Sequence, residues 1–351
     1  MLLESIKVNS NSRRNSYFEM IRGISIIAVI IIHSLSPSNV CQEYYAVIIR
    51  SCVNFAVATF VFLSGFFVNT AKVEENPMKY IKSRFLKLGI PYVFWSIVYE
   101  VLHGIMWEKI NILAIIKRFI LGQTAAQMYY IVMLLQLIII TPVLVKLAKK
   151  KTGKVLALMI TVMYLIIVLT YHYIYKRSMP LYSVIFFGWF VYYYLGIYIR
   201  INGSDRIKSI SKNIKICFTV IALLVVIILN TIVLKSIFEY EYRASQVTLL
   251  NLAYSMLIIS IIISCADIVI KPSNFLVKIG NNSFGIYLIH LLPIQILKSI
   301  FDLHQIQLPI IINEIVYVST ALLVSSLIIF IIRKAKLSIL IGENNFTILA
   351  K

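Results

Sequence analysis

One apolar segment of the chain carries two residues that could do chemistry, an arginine and a histidine. Arg22 follows Glu19, and His33 comes eleven residues after Arg22. In a helix, eleven residues place His33 about 16 Å further along the axis and within about 20° of the same face. A histidine past the middle of a membrane suits general-base catalysis, with a cation at the membrane edge for an anionic ligand. The alternatives are an Arg22–Glu19 anchor and a structural, hydrogen-bonded His33.

A second basic group lies just ahead of Pro91. Arg84 and Lys87 are three residues apart, so they are neighbours on one helix face. Such a pair at a membrane edge suits a phosphate-bearing ligand, because arginine can grip two phosphate oxygens at once. Membrane anchoring is the alternative, and it is the favoured reading for the nearby Lys79 and Lys82.

Two further polar sites interrupt apolar runs. Ser64 and Gly65 form a small step near the end of one run, where a helix or a ligand chain can approach the backbone closely. Asn281–Ser283 can cap a helix that carries Tyr287 and His290. For each site, ordinary helix packing is the competing interpretation.

The elements that must position these residues are membrane helices. The chain has 351 residues, of which 60% are hydrophobic and 14% charged. Apolar runs of about 17–25 residues are typical of transmembrane helices. They cover residues 20–36, 45–69, 88–107, 128–147, 155–174, 181–200, 215–234, 246–266, 284–300 and 309–332. The sequence therefore predicts an all-α, polytopic membrane helical bundle of about ten transmembrane helices, with a short interfacial helix at 110–121.

The bundle at 20–332 is expected to form a single membrane domain over 1–351, with an N-terminal segment at 1–19 and a tail at 333–351. Most of the 34 Lys and Arg lie in alternate loops and in the two terminal segments. By the positive-inside rule, both termini are cytoplasmic. The net charge of +20 is then a topology signal that contacts anionic lipid, and no nucleic acid is expected as a partner.

Taken together, these segments resemble acyltransferase family 3, the ten-span bacterial O-acyltransferases. The resemblance rests on Glu19-x-x-Arg22-Gly23 and the Arg-x10-His spacing, Phe62-x-Ser64-Gly65-Phe66, Arg84-x-x-Lys87 before Pro91, Tyr129-Tyr130 through Pro142, and Ser283-x-x-x-Tyr287-Leu288-x-His290. Two positions depart from the family pattern. Lys87 replaces the second arginine of an Arg-x-x-Arg pair, and Tyr130 stands where many relatives carry tryptophan.

The resemblance implies acyl transfer at a bacterial inner membrane. An acyl-coenzyme A, with acetyl-CoA expected, would be the donor substrate, and the acceptor would be a hydroxyl of a cell-surface carbohydrate or glycolipid. No permanently bound cofactor and no metal are expected. Arg22, Arg84, Lys87 and Ser64 would bind the donor, and Tyr130, Tyr287 and His290 would form a substrate or structural site.

A general base works best when a second group orients it. Glu100, thirteen residues after Lys87, should reach about the depth of His33, so we expect it to be that group. Glu100 can also pair with His103 or face an outer loop. Two functions of other classes stay open: a transporter or flippase for lipid-linked sugar or acyl groups, and a non-catalytic membrane sensor or scaffold.

Overall fold

The computed structural model describes residues 16–35, 40–107, 112–150, 152–203, 211–266 and 273–343. Within these ranges the chain is helical and contains no strand. The α-helices are α1 Ser16–Ser34, α2 Val40–Val53, α3 Phe55–Phe66, α4 Thr70–Glu75, α5 Pro77–Trp107, α6 Ile112–Leu121, α7 Tyr129–Ala148, α8 Gly153–Tyr175, α9 Phe190–Asn202, α10 Lys212–Ile228, α11 Tyr240–Arg243, α12 Leu249–Cys265, α13 Asn274–Asn281, α14 Ser283–Ile289, α15 Leu291–Leu303 and α16 Ile310–Lys334. A 3-10 turn, Phe186–Trp189, leads into α9, and another, Ser338–Ile341, follows α16.

The predicted all-α membrane fold is confirmed. Eight helices in the described ranges are long and apolar enough to cross a membrane. The predicted runs at 181–200 and 246–266 instead contain the shorter helices α9 and α12. The number ten and the location of the termini therefore stay predictions. Within the weak stretch at 110–121, Ile112–Leu121 forms a separate helix, α6, in which no residue is buried.

Apolar side chains cover much of the outside of the bundle. Met163 on α8, Phe218 on α10 and Leu323 on α16 are 60%, 58% and 72% exposed. Patches of this kind are too extensive for a protein in water, but they suit contact with lipid. The chain is accordingly a multi-pass membrane protein.

Helix α1 lies at the centre of the bundle and packs against α3, α13, α14 and α16. Its contact with α13 is the closest, because both helices carry a glycine at the crossing. A Cβ atom on Gly280 would lie 1.7 Å from the carbonyl oxygen of Glu19, and one on Gly23 would lie 2.2 Å from that of Leu276. Small residues at such crossings let helix backbones touch inside a membrane.

Gly65 of the Ser64-Gly65 step also lets two helix backbones approach closely. A Cβ atom on Gly65 would lie 2.1 Å from the carbonyl oxygen of Tyr193 on α9, so α9 fills the space beside this step. In return, a Cβ atom on Gly196 of α9 would lie 2.3 Å from the carbonyl oxygen of Phe62. The close approach at Gly65 is therefore helix packing, and it leaves the Ser64 side chain to contact another neighbour.

Following the predicted orientation, we call Ser16–Gly23 the inner end of α1 and Ile30–Ser34 its outer end. Arg22 lies near the inner end and His33 in the last turn. The sequence placed His33 just past the membrane midplane. Because α1 stops one residue after His33, the histidine lies in the last turn of the helix, and its depth in the membrane stays a prediction.

Candidate active site

His33 and His290 lie side by side at the outer end of α1. Their ring centroids are 5.3 Å apart, with the planes inclined at 50°. His290 occupies the junction between α14 and α15 and is fully buried. Two separate segments of the chain thus bring their histidines together, and the electrostatic field at His33 also includes the charges of Arg50 and Lys298.

The hydrogen bonds of His290 fix which of its nitrogens carries the proton. Its Nδ1 lies 2.9 Å from the carbonyl oxygen of Tyr287 and 3.2 Å from that of Ile286. A carbonyl oxygen can only accept, so Nδ1 is the protonated nitrogen of the neutral ring. The buried Nε2 has no hydrogen-bond partner among the described residues and keeps its lone pair. His290 can therefore accept a hydrogen bond from the neighbouring imidazole of His33.

A cavity of about 340 Å³ opens beside His33. Six aromatic side chains contribute to its wall: Tyr129, Tyr130, Tyr182, Trp189, Tyr240 and Tyr287. An adjoining cavity of about 320 Å³ shares Tyr129 and Tyr182 with it. A concave, largely aromatic site with a few polar groups is the usual form of a small-molecule site in a protein.

The polar groups in this wall are the unusual feature. Arg50 Nε, Gln127 Oε1, the Tyr240 hydroxyl and Gln246 Oε1 are buried without a hydrogen-bond partner in the part of the chain that the structure describes. Leaving such groups unpaired costs about 1–3 kcal/mol each. Burial raises the pKa of Tyr240, which keeps its hydroxyl protonated and able to donate. Donors and acceptors are thus both present, as a ligand rich in hydroxyl groups requires.

Part of the outer loop closes this cavity. Residues 244–247 line it, and the Asn54 amide donates to the carbonyl oxygens of Ala244 and Ser245 at 3.3 and 3.5 Å. Buried Arg243 binds the Glu43 carboxylate and donates to the Asn230 carbonyl oxygen at 3.0 Å. We call residues 240–247 the roof of the cavity, and these hydrogen bonds anchor it beside the outer end of α1.

Five of the nine predicted site residues come together here: His33, Ser64, Tyr130, Tyr287 and His290. The Ser64 hydroxyl lies 3.5 Å from that of Tyr130, whose ring centroid is 5.3 Å from that of Tyr287. The Tyr287 ring lies 6.0 Å from His290, and its hydroxyl donates to the backbone of Gln127. Ser64, predicted as a donor-binding residue, is thus connected to the histidine pair.

Glu100 is not among the described residues that line this cavity. Both of its carboxylate oxygens accept from Arg118, at 2.7 and 2.5 Å. Helix α6 folds back and brings this cation to the carboxylate, whose side chain is only 7% exposed. The hydrogen bond raises the pKa of Arg118, as expected for a cation held by a carboxylate. His290 takes the position beside His33 that we expected Glu100 to occupy.

The predicted donor-binding cations do not line the cavity in the described part of the chain. Arg22 Nη1 is 2.8 Å from Glu19 Oε1, and its guanidinium lies 4.9 Å from the centre of the Phe67 ring. Arg84 lies over the ring of Tyr80 at 5.5 Å. Arg22, Arg84 and Lys87 are not among the described residues that line the cavity. The Arg22–Glu19 pair is the alternative that the sequence left open, and donor binding by the three cations stays a prediction.

Arg50 is the residue that sequence reasoning missed. It lies inside the apolar run at 45–69 and is not among the predicted site residues. In the structure Arg50 lines the cavity, and its Nη2 donates to the carbonyl oxygen of Ile32 at 2.8 Å. A cation inside an apolar run is costly, and this was the signal that could have identified it. No cluster of His, Cys, Asp or Glu suited to a metal ion occurs within the described ranges.

Comparisons with known proteins show the family of this chain. A family model described as an acyltransferase domain matches residues 15–334. Proteins of Staphylococcus aureus strains MSSA476 and MW2, each named as a probable poly-beta-1,6-N-acetyl-D-glucosamine export protein, are 24% identical to this chain over 299 residues. The alignment covers 80% of this chain and 82% of each relative. No solved structure matches.

Proposed function

The chain belongs to the acyltransferase domain family, and from that premise we propose that it transfers an acyl group from cytoplasmic acyl-CoA to a carbohydrate hydroxyl. The protein is thus a membrane acyltransferase, and the proposal concerns its two substrates and the residues that act on them. The acyl group we expect is acetyl, the acceptor is a cell-surface carbohydrate or its lipid-linked precursor, and the membrane is the bacterial inner membrane.

The observation that carries the proposal is the histidine pair beside a cavity with unpaired polar groups. A sugar hydroxyl stays protonated at neutral pH, so its attack on a thioester requires a base. His33 lines the cavity and can take that proton. His290, with Nδ1–H donated to the backbone, can accept from the other nitrogen of His33 and so orient the ring. This pair supplies the base and its orienting partner.

The cavity wall supports a carbohydrate acceptor. Aromatic faces pack against the apolar faces of sugar rings, while the unpaired groups of Arg50, Gln127 and Gln246 can bind hydroxyl and carbonyl oxygens. The S. aureus relatives are named for a polymer of N-acetyl-D-glucosamine. We therefore take a β-1,6-linked N-acetylglucosamine oligomer as the first acceptor to test.

The donor requires a different environment, because coenzyme A carries a 3′-phosphate and a pyrophosphate. Arg22, Arg84 and Lys87 are cations near the predicted cytoplasmic face, at the opposite end of the bundle from His33. Their guanidinium and ammonium groups suit phosphate binding. The thin pantetheine arm would then extend along the bundle towards His33.

Acyl content of the host's surface polysaccharide tests the proposal. Proton NMR of purified polysaccharide would compare wild-type cells, a deletion, and the deletion complemented with wild type, His33→Ala or Gly89→Ala. Gly89 has open space around it, so Gly89→Ala serves as a matched control. We expect the O-acyl signal to disappear on deletion and to return with wild type and Gly89→Ala, but not with well-expressed His33→Ala.

Export is the second candidate function, because the relatives' printed name assigns it to them. The same experiment separates the two functions. If the deletion removes the polysaccharide from the cell surface altogether, and His33→Ala restores it, export is the better description. Unchanged polymer yield with lost O-acyl groups supports acyl transfer.

A further inference from the structure

We propose that Arg50 stabilises the negative charge that develops on the acyl carbonyl oxygen during transfer, a role that rests on the proposed function. Arg50 is the one lysine or arginine among the described residues that line the cavity beside His33. The two residues come from different helices, α2 and α1, and are brought to the same wall by the fold.

Contacts with the outer end of α1 fix the Arg50 guanidinium near the base. Its Nη2 donates to the carbonyl oxygen of Ile32, the residue that precedes His33, at 2.8 Å. The guanidinium carbon lies 5.8 Å from the centre of the Tyr240 ring. Tyr240 belongs to the roof of the cavity, so Arg50 is held between the end of α1 and the roof. A donor that is already in place needs no reorganisation when charge develops.

The hydrogen bonding of Arg50 is incomplete. Its Nε–H is buried and has no partner in the described part of the chain. Of the nearby carboxylates, Glu43 binds Arg243, and Glu241, which lines the same cavity, accepts from the Ser178 hydroxyl at 2.5 Å. Among the described residues no carboxylate forms an ion pair with Arg50. A cation that has a buried N–H without a partner and lies beside a catalytic base is suited to an anionic oxygen.

This anionic oxygen is the carbonyl oxygen of the acyl group, and it becomes negatively charged during the transfer step. The acceptor hydroxyl attacks the thioester carbonyl carbon, its proton passes to His33, and the carbonyl π pair moves onto oxygen. Arg50 binds the resulting oxyanion. When the intermediate collapses, the C–S bond breaks, the ester carbonyl re-forms, and the thiolate leaves. The thiolate takes the proton back from His33, and the positive charge of Arg50 beside the imidazolium favours that return.

The test measures coenzyme A thiol release from acetyl-CoA by protein reconstituted in nanodiscs, with the β-1,6-linked N-acetylglucosamine oligomer as acceptor. Arg50→Gln and Arg50→Lys would be compared with wild type and with Arg177→Gln, which removes an exposed arginine on the same predicted side. We expect Arg50→Gln to lower kcat about 10²- to 10³-fold with the KM for acetyl-CoA unchanged. Arg177→Gln should match wild type.

A second variant distinguishes a loss of catalysis from misfolding. Arg50→Ala removes the side chain and leaves space open to the cavity, so added methylguanidinium should restore part of the lost kcat. A purely structural arginine would give no such rescue at unchanged melting temperature.

The outcomes separate the two proposals. If wild type releases thiol and transfers acetyl while Arg50→Gln retains its kcat, only the role of Arg50 is overturned. If Arg50→Gln instead raises the KM for the acceptor at constant kcat, Arg50 binds the sugar and the oxyanion role is wrong. If wild type shows no acceptor-dependent release and no O-acyl product, the proposed function fails, and the role of Arg50 fails with it.

Discussion

The two ends of helix α1 contain polar residues of similar type in opposite situations. At the inner end, Arg22 pairs with Glu19, and Gly23 meets the backbone of α13 so closely that a Cβ atom would not fit. At the outer end, His33 and His290 face a cavity whose wall contains buried polar atoms without partners among the described residues. The same helix is thus closely packed at one end and open at the other.

This difference helps to distinguish polar residues that stabilise a membrane protein from polar residues that bind a ligand. A polar residue in lipid is costly wherever it lies, so its presence alone does not identify a site. An ion pair such as Arg22–Glu19 compensates that cost locally. Groups such as Arg50 Nε and Gln246 Oε1 lack that compensation, and a ligand can supply it. Unpaired groups that share one cavity are therefore the stronger indication of function.

The largest expected effect is a loss of folded protein when the close packing at the inner end of α1 is disrupted. Gly280→Val would force α13 away from α1, because even a Cβ atom would lie 1.7 Å from the Glu19 carbonyl oxygen. Overpacking usually costs about 1–3 kcal/mol, and backbone contact leaves little room to relax. We expect most folded protein to be lost, measured by size-exclusion chromatography of detergent-solubilised protein. Gly89→Val, in open space on α5, is the control; equal folded yields would contradict close packing at Gly280.

A substitution at the outer end of α1 should lower the catalytic rate and leave folding unchanged. His290→Ala removes the proposed orienting partner of His33 and should lower kcat about tenfold to a hundredfold. The KM for acetyl-CoA and the melting temperature should change little. Steady-state kinetics of thiol release would show this. A large loss of folded protein with normal kcat in the remainder would make His290 a structural residue.

A predicted donor-binding cation should give a third type of response. Arg84 lies over the Tyr80 ring and is not among the described residues that line the cavity. If it binds coenzyme A phosphates, Arg84→Gln should raise the KM for acetyl-CoA by about tenfold, the loss of one charge-assisted hydrogen bond. The kcat at saturating donor should be retained. An unchanged KM would leave Arg84 as a membrane anchor.

The smallest effect is expected at Glu100. Its carboxylate binds Arg118 and does not line the cavity in the described part of the chain, so Glu100→Gln should keep kcat and KM within about twofold of wild type. Steady-state kinetics of Glu100→Gln and His290→Ala, measured together, would compare the two candidates for the residue that orients His33. A loss as large as that of His290→Ala would restore Glu100 to the active site.

The sequence was informative about helices and about residues placed on one helix. Apolar runs predicted the membrane fold, and helical spacing identified His33 and His290 as polar positions within it. It could not predict which helices meet. The pairing of His33 with His290 joins residues 257 positions apart, and the Glu100–Arg118 pair depends on how α6 folds back.

Arg50 shows a second limit. In a sequence it is one of 34 positive side chains, and most of these mark topology. Its distinction lies in what it lacks, since its Nε–H has no partner in the described ranges and no carboxylate there pairs with it. Such an absence is defined only once the neighbouring helices and the roof are in place.

The most direct test of the account is transfer of radiolabelled acetyl from acetyl-CoA to the β-1,6-linked N-acetylglucosamine oligomer by reconstituted protein. Wild type, His33→Gln and Gly89→Ala would be compared at equal folded amounts. We predict labelled oligomer with wild type and Gly89→Ala, and a rate about 10²- to 10⁴-fold lower with His33→Gln. Equal transfer by His33→Gln would contradict the assignment of the active site to the outer end of α1.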